Sequence, residues 1–132
     1  MFKISKEKRM ANKIREMLYK RGFKVEMKIS KNTKSVYLKV DNGACSTIRI
    51  SDHKNFKTRS KYNVIKNYEG KRREFYNGGT KMFYNFHMIA NLIADVEGER
   101  SNKILKQGYS KYKSIRDKED LSNYYIYNRQ AA

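Results

Sequence analysis

The chain has 132 residues, 39% of them apolar, with eleven Tyr, six Phe and no Trp, which is the length and apolar content of one domain with one modest core. Thirty-one Lys and Arg stand against thirteen Asp and Glu, a formal net charge of +18, and self-repulsion of that size points to a polyanionic partner. Cys45 is the only cysteine and His53 and His87 are the only histidines, so an intramolecular disulfide is excluded, a zinc site lacks ligands, and no cofactor is expected.

Ser5 is placed to cap a helix whose apolar positions Met10, Ile14, Met17 and Leu18 recur at helical spacing, and Gly22 before Phe23 reads as its stop. The period then changes to two. Phe23, Val25, Met27 and Ile29 alternate with Lys24, Glu26, Lys28 and Ser30, the pattern of a strand with one buried face. Lys31 to Lys34 form a turn, Val36, Leu38 and Val40 a second strand, Asp41-Asn42-Gly43 a hairpin signal, and Ile48 and Ile50 a third strand. This alternation leaves Lys24, Lys28, Tyr37, Lys39, Thr47 and Arg49 on the face opposite the core.

From Lys54 to Thr80 the passage is basic and polar, with Tyr62, Val64 and Ile65 as a fourth strand and Phe75-Tyr76 as a short fifth. Asn77 to Thr80 read as a turn into a helix capped by Thr80, with Met82, Phe86, Ile89, Ala90, Ile93 and Val96 on one face and Gly98 ending or kinking it. Ser101 to Gln107 suit another short helix stopped by Gly108. The expected fold is therefore α+β: an N-terminal helix, a three- to five-stranded antiparallel sheet and C-terminal helices, in a single basic domain over 1–132 with 109–132 as an appendage or flexible tail. The stretch from Met88 to Val96 is too short to span a bilayer and the first residues lack the apolar run of a secretory signal. A cytoplasmic protein without a membrane partner is the expectation.

The basic residues fall into groups that can meet phosphates. Lys6, Arg9, Lys13 and Lys20 line the first helix, Lys54, Lys57, Arg59 and Lys61 follow the third strand, and Lys71, Arg72 and Arg73 form a cluster. Tyr37 with Lys39 and Arg49 adds a ring flanked by cations, suited to stacking on an unpaired base. Lys81 beside Asn77-Gly78-Gly79-Thr80 would stand at a helix start able to hold an anion. No catalytic residue is assigned, because Asp52-His53 has no identified second group for acid–base work.

The order of helix, three strands and later helix resembles the double-stranded RNA-binding fold, although the lysine cluster of that family is reduced here to Lys81. Gly22-Phe23 and the strands after it also resemble HicA-type toxins. The histidine those toxins use is replaced by the segment Asn32 to Ser35, so ribonuclease activity is only a weak alternative. The hexamer Ile48-Arg49-Ile50-Ser51-Asp52-His53 is similar to strings in small phage and mobile-element proteins, anti-CRISPR inhibitors among them. With the size and lysine-rich composition, that resemblance implies a non-enzymatic inhibitor of a CRISPR-Cas effector complex. It would bind the effector ribonucleoprotein, its guide RNA or its target DNA in a bacterial host cell, since a chain at +18 cannot mimic DNA. The alternative is a general RNA- or single-stranded-DNA-binding protein of phage replication.

Overall fold

A computed structural model of the chain describes residues 4–31, 33–51, 61–65, 76–77, 80–84 and 89–118. Helix α1 spans Lys6–Tyr19, with the Ser5 hydroxyl accepting the amide of Lys8 at 3.1 Å as its N-cap. Its end is closed as the sequence implied. Gly22 takes a left-handed φ of 82°, and the amides of Phe23 and Gly22 donate to the carbonyls of Leu18 and Tyr19, which covers carbonyls that the helix leaves unpaired.

Strands β1 (Val25–Ile29), β2 (Val36–Val40) and β3 (Ile48–Ile50) follow and pair antiparallel, Met27 opposite Leu38 and Leu38 opposite Ile48. The Lys31–Lys34 turn is closed by the Ser30 amide on the carbonyl of Ser35. Asp41–Gly43 form a 3-10 turn with positive φ at all three residues, and the chain needs four further residues before β3 begins. The Asp41-Asn42-Gly43 signal thus marks a real turn, but not a two-residue hairpin.

Beyond β3 the sheet departs from the antiparallel expectation. Strand β4 (Tyr62–Ile65) runs parallel to β3, and β6 (Thr80–Tyr84) parallel to β4, with β5 (Tyr76–Asn77) antiparallel to β6 at the edge. The result is a mixed sheet in the order β1-β2-β3-β4-β6-β5. Alternation reports that a segment is a strand and which face it buries, and carries no information about direction.

Thr80 is consequently not a helix cap. Asn77 pairs with Thr80 across Gly78-Gly79, a hairpin signal in its own right. Helix α2 spans Ile89–Gln107 without a break at Gly98 and absorbs the separate helix expected at Ser101. Gly108 at φ 90° separates it from α3 (Tyr109–Arg116), so residues 109–116 are part of the folded unit. Residues 119–132 lie outside the described residues.

Helices α1 and α2 cover one sheet face. Met10, Ala11, Ile14 and Leu18 of α1 and Leu92, Ile93 and Val96 of α2 are buried with Val36, Leu38, Val40, Ile48, Val64 and Phe83. The Arg100 guanidinium lies 3.9 Å over the Phe23 ring, and Arg21 meets Glu97 at 3.0 Å, tying the helices to each other. Two glycine substitutions should act in opposite directions. An added Cβ meets nothing within 4 Å at either Gly98 or Gly22, so backbone preference alone decides. Gly98→Ala in the α2 interior should stabilise by about 0.5–1 kcal/mol. Gly22→Ala, forced into a left-handed conformation, should destabilise by about 1–2 kcal/mol. Urea midpoints that both rise would contradict the Gly22 assignment, and midpoints that both fall the Gly98 assignment.

Candidate nucleic-acid interface

Lys6, Arg9, Lys13 and Lys20 are all exposed, and at 3.6 residues per turn they fall within about 60° of arc along roughly 21 Å of helix axis. Glu16 shares this stripe and is occupied by Lys20 at 3.7 Å. Four further acids among the described residues are engaged elsewhere: Glu97 with Arg21, Asp117 with Lys24 and Arg116, Glu99 with Lys61 and Lys103, and Asp41 inside the protein. With four cations to one acid, the α1 stripe is positive.

The second group sits on the other side of the sheet. Tyr37 and Lys39 are half-buried on the face opposite α1, where Lys28 pairs across from Tyr37 and Glu26 across from Lys39. Arg49 is in register with them but only 7% exposed. One of its Nη atoms donates to Asn63 Oδ1 at 3.4 Å, and its buried Nε has no hydrogen-bond partner. Arg49 is therefore a buried residue rather than an open phosphate contact. Because α1 covers the core face, its basic stripe and the Tyr37–Lys39 pair point to opposite sides of the domain.

Lys61 is also committed. Its ammonium lies 3.0 Å from Glu99 and over the Tyr62 ring, which makes it part of a buried network. Lys81 lies in β6, not at a helix start, so the dipole argument for an anion there fails. Lys54, Lys57, Arg59, Lys71, Arg72 and Arg73, with Asp52, His53 and His87, lie outside the described residues.

The first four residues of the hexamer that resembles phage proteins, Ile48 to Ser51, are buried. Ile48 and Ile50 are core residues, and the Ser51 hydroxyl is held 2.8 Å from that of Ser35 with both serines buried. Cys45, Tyr62, Tyr112 and Glu99 are likewise committed to packing and internal hydrogen bonds. Burial pushes the Cys45 thiol up to about 11 and it sits 3.1 Å from the Tyr112 hydroxyl. Burial and Glu99 raise Tyr62, and burial and Asp41 raise Tyr112, so both phenols stay protonated. The Glu99 carboxylate accepts hydrogen bonds from the Ser46 amide, Lys61 and Tyr62. No group of three or more metal-ligating side chains occurs among the described residues, and none of their helices is long and apolar enough to cross a membrane.

One cleft joins distant parts of the chain. Its cavity of about 240 Å³ lies where the start of β1, the end of β2, the Asp41–Gly43 turn and the end of α3 meet, and Lys24, Lys39, Arg116 and Lys118 line it with Tyr19, Glu26 and Asn42. The Lys24 ammonium is 3.4 Å from Asp117 and 3.5 Å from the carbonyl of Arg116, 92 residues away. Sequence reasoning singled out only Lys39 of these cations as a binding residue. Tyr112, Ile115 and Arg116 carry a short helical period that would have placed α3, but nothing local brings α3 to β1. No protein-family model matches the chain, and neither a curated protein nor a solved structure does.

Proposed function

We propose that this protein acts by stoichiometric binding to nucleic acid rather than by catalysis, with the exposed face of α1 as its principal electrostatic contact. The observation that carries this reading is the stripe of Lys6, Arg9, Lys13 and Lys20, in which the one shared acid is already paired. Its length of about 21 Å matches roughly six base steps along a duplex axis. The biological use we propose is inhibition of a CRISPR-Cas effector complex through its guide RNA, its target DNA or the ribonucleoprotein as a whole. The second reading, a general RNA- or single-stranded-DNA-binding protein of phage replication, gains weight because four residues of the hexamer motivating the first, Ile48 to Ser51, are buried.

The triple variant Lys6→Glu/Arg9→Glu/Lys13→Glu tests the contact. All three side chains are exposed, and the dipole favours a glutamate at position 6 in the first turn, so the fold should survive. The wild-type association constant should fall steeply with salt, and the variant should bind more weakly with a slope smaller by about 3. An unchanged slope with a folded variant would remove α1 from the interface. Capture of an intact Cas ribonucleoprotein by a chain with little affinity for bare strands would support the effector reading, and tight binding to bare strands would support the second.

A further inference from the structure

We propose that the cleft between β1, the Asp41–Gly43 turn and the end of α3 binds a single nucleotide unit, with Lys24, Lys39, Arg116 and Lys118 around its phosphate and Tyr19 beside its base. This rests on the nucleic-acid reading above but uses none of the α1 stripe.

The cleft's charge favours an anion: four cations line it with one carboxylate, Glu26, and a second carboxylate, Asp117, pairs with two of them. The end of a helix ordinarily presents unpaired carbonyls, which repel anions. Here that repulsion is covered. The Asn42 side-chain amide donates to the carbonyls of Ile115 and Lys118, and the Lys24 ammonium lies against that of Arg116.

Asp117 shows what this arrangement attracts. Its carboxylate bridges Lys24 at 3.4 Å and the Arg116 guanidinium at 3.0 Å, and the Arg116 hydrogen bond holds its carboxyl below the usual range. A phosphate oxygen presents these two cations with the same chemistry, charge-assisted and bidentate at arginine. Lys39 and Lys118 form no ion pair among the described residues and remain to bind the ligand.

Size and the tyrosine narrow the class. A cavity of about 240 Å³ is far too small for a duplex and, lying below the roughly 300–1,000 Å³ of pockets that enclose drug-sized ligands, holds the phosphate and sugar of one nucleotide with the base left at its rim. Tyr19 lines it, is 52% exposed, and is fixed by donating its hydroxyl to the carbonyl of Val25 at 3.0 Å. The Arg15 guanidinium lies 5.9 Å over the same ring. A half-exposed ring already held in place stacks on a base with little ordering cost.

The test is a titration of the full chain with AMP and, in parallel, inorganic phosphate, followed by amide NMR shifts. AMP should shift Lys24, Lys39, Asn42 and Lys118 saturably, and Lys39→Gln/Lys118→Gln should weaken it by about tenfold or more, as expected for loss of charge-assisted contacts. Asp117→Asn should tighten AMP by removing the internal competitor, and Tyr19→Leu should weaken AMP but not phosphate. Shifts confined to α1, or a folded double variant that binds AMP as wild type does, would overturn the site. Phosphate binding as tightly as AMP would overturn the nucleotide assignment. The α1 triple variant separates the two proposals, because it should keep AMP binding even if strand binding is lost.

Discussion

Tyr112→Ala should destabilise the protein by about 3–5 kcal/mol, the usual cost of removing a fully buried large aromatic side chain. The Tyr112 side chain is wholly buried, its hydroxyl donates to the carboxylate of Asp41, and the Cys45 sulfur lies beside it. Asp41 is buried as well, and its other oxygen accepts the Lys24 amide at 2.9 Å. Truncation therefore opens a cavity and takes one donor from a buried carboxylate, and the two costs add. Tyr112→Phe isolates the second and should cost about 1–3 kcal/mol, since the ring still fills the site. Urea denaturation measures both, and amide exchange in α3 should accelerate in the alanine variant before global unfolding. If both variants unfold within 1 kcal/mol of wild type, roughly the scatter of a surface substitution, α3 is not part of the cooperative unit. The same contact bears on the nucleotide cleft, because α3 and the residues after it supply Arg116 and Lys118.

The sequence made local features legible and left the long-range ones hidden. The Ser5 cap, the Gly22 stop and the alternation through β1, β2 and β3 depend on neighbours within a few residues, and each stands where the pattern placed it. The α+β class followed from these. Strand direction did not, because β3, β4 and β6 are joined through a polar passage whose periodicity is weak, and residues so separated pair parallel as readily in the pattern as antiparallel. Thr80 starts a strand rather than a helix, a choice the sequence leaves open because a turn signal followed by apolar residues suits either. Gly98 lies on an exposed helix surface where its intrinsic cost is small enough for the packing of Ile93 and Val96 to override. For the candidate site, helical spacing alone placed Lys6, Arg9, Lys13 and Lys20 together. Alternation likewise put Arg49 on the correct face, but burial is a tertiary property, and here it removes the residue from open solvent. The cleft cations could not be grouped in advance, since Lys24 and Arg116 meet only after α3 docks on the Asp41–Gly43 turn.

Glu99→Gln should destabilise the protein at neutral pH and lose that disadvantage in acid. The Glu99 side chain is 5% exposed, yet it receives the Ser46 amide and Lys103 on one oxygen and Lys61 and Tyr62 on the other. Burial alone would raise its pKa, but the hydrogen bonds from Ser46, Lys61 and Tyr62 outweigh burial and lower it. A folded pKa below the unfolded value of about 4.3 means that the charged form favours the native state. That stabilisation is complete above the unfolded pKa and disappears as pH falls through the folded one. The lysines are half-exposed and rehydrate in the variant; glutamine keeps one acceptor oxygen, so only one of the Ser46 amide and the Tyr62 hydroxyl loses its acceptor, at about 1–3 kcal/mol. Asp117 also has a lowered pKa and titrates in the same region, but it contributes equally to both proteins and cancels in their difference. The gap in unfolding free energy between wild type and Glu99→Gln should therefore narrow as pH falls from about 5 down through the folded pKa of Glu99. A gap that stays constant across that range would show that the Glu99 charge contributes nothing to folding, and that the network acts only through the shape and hydrogen bonds that glutamine preserves.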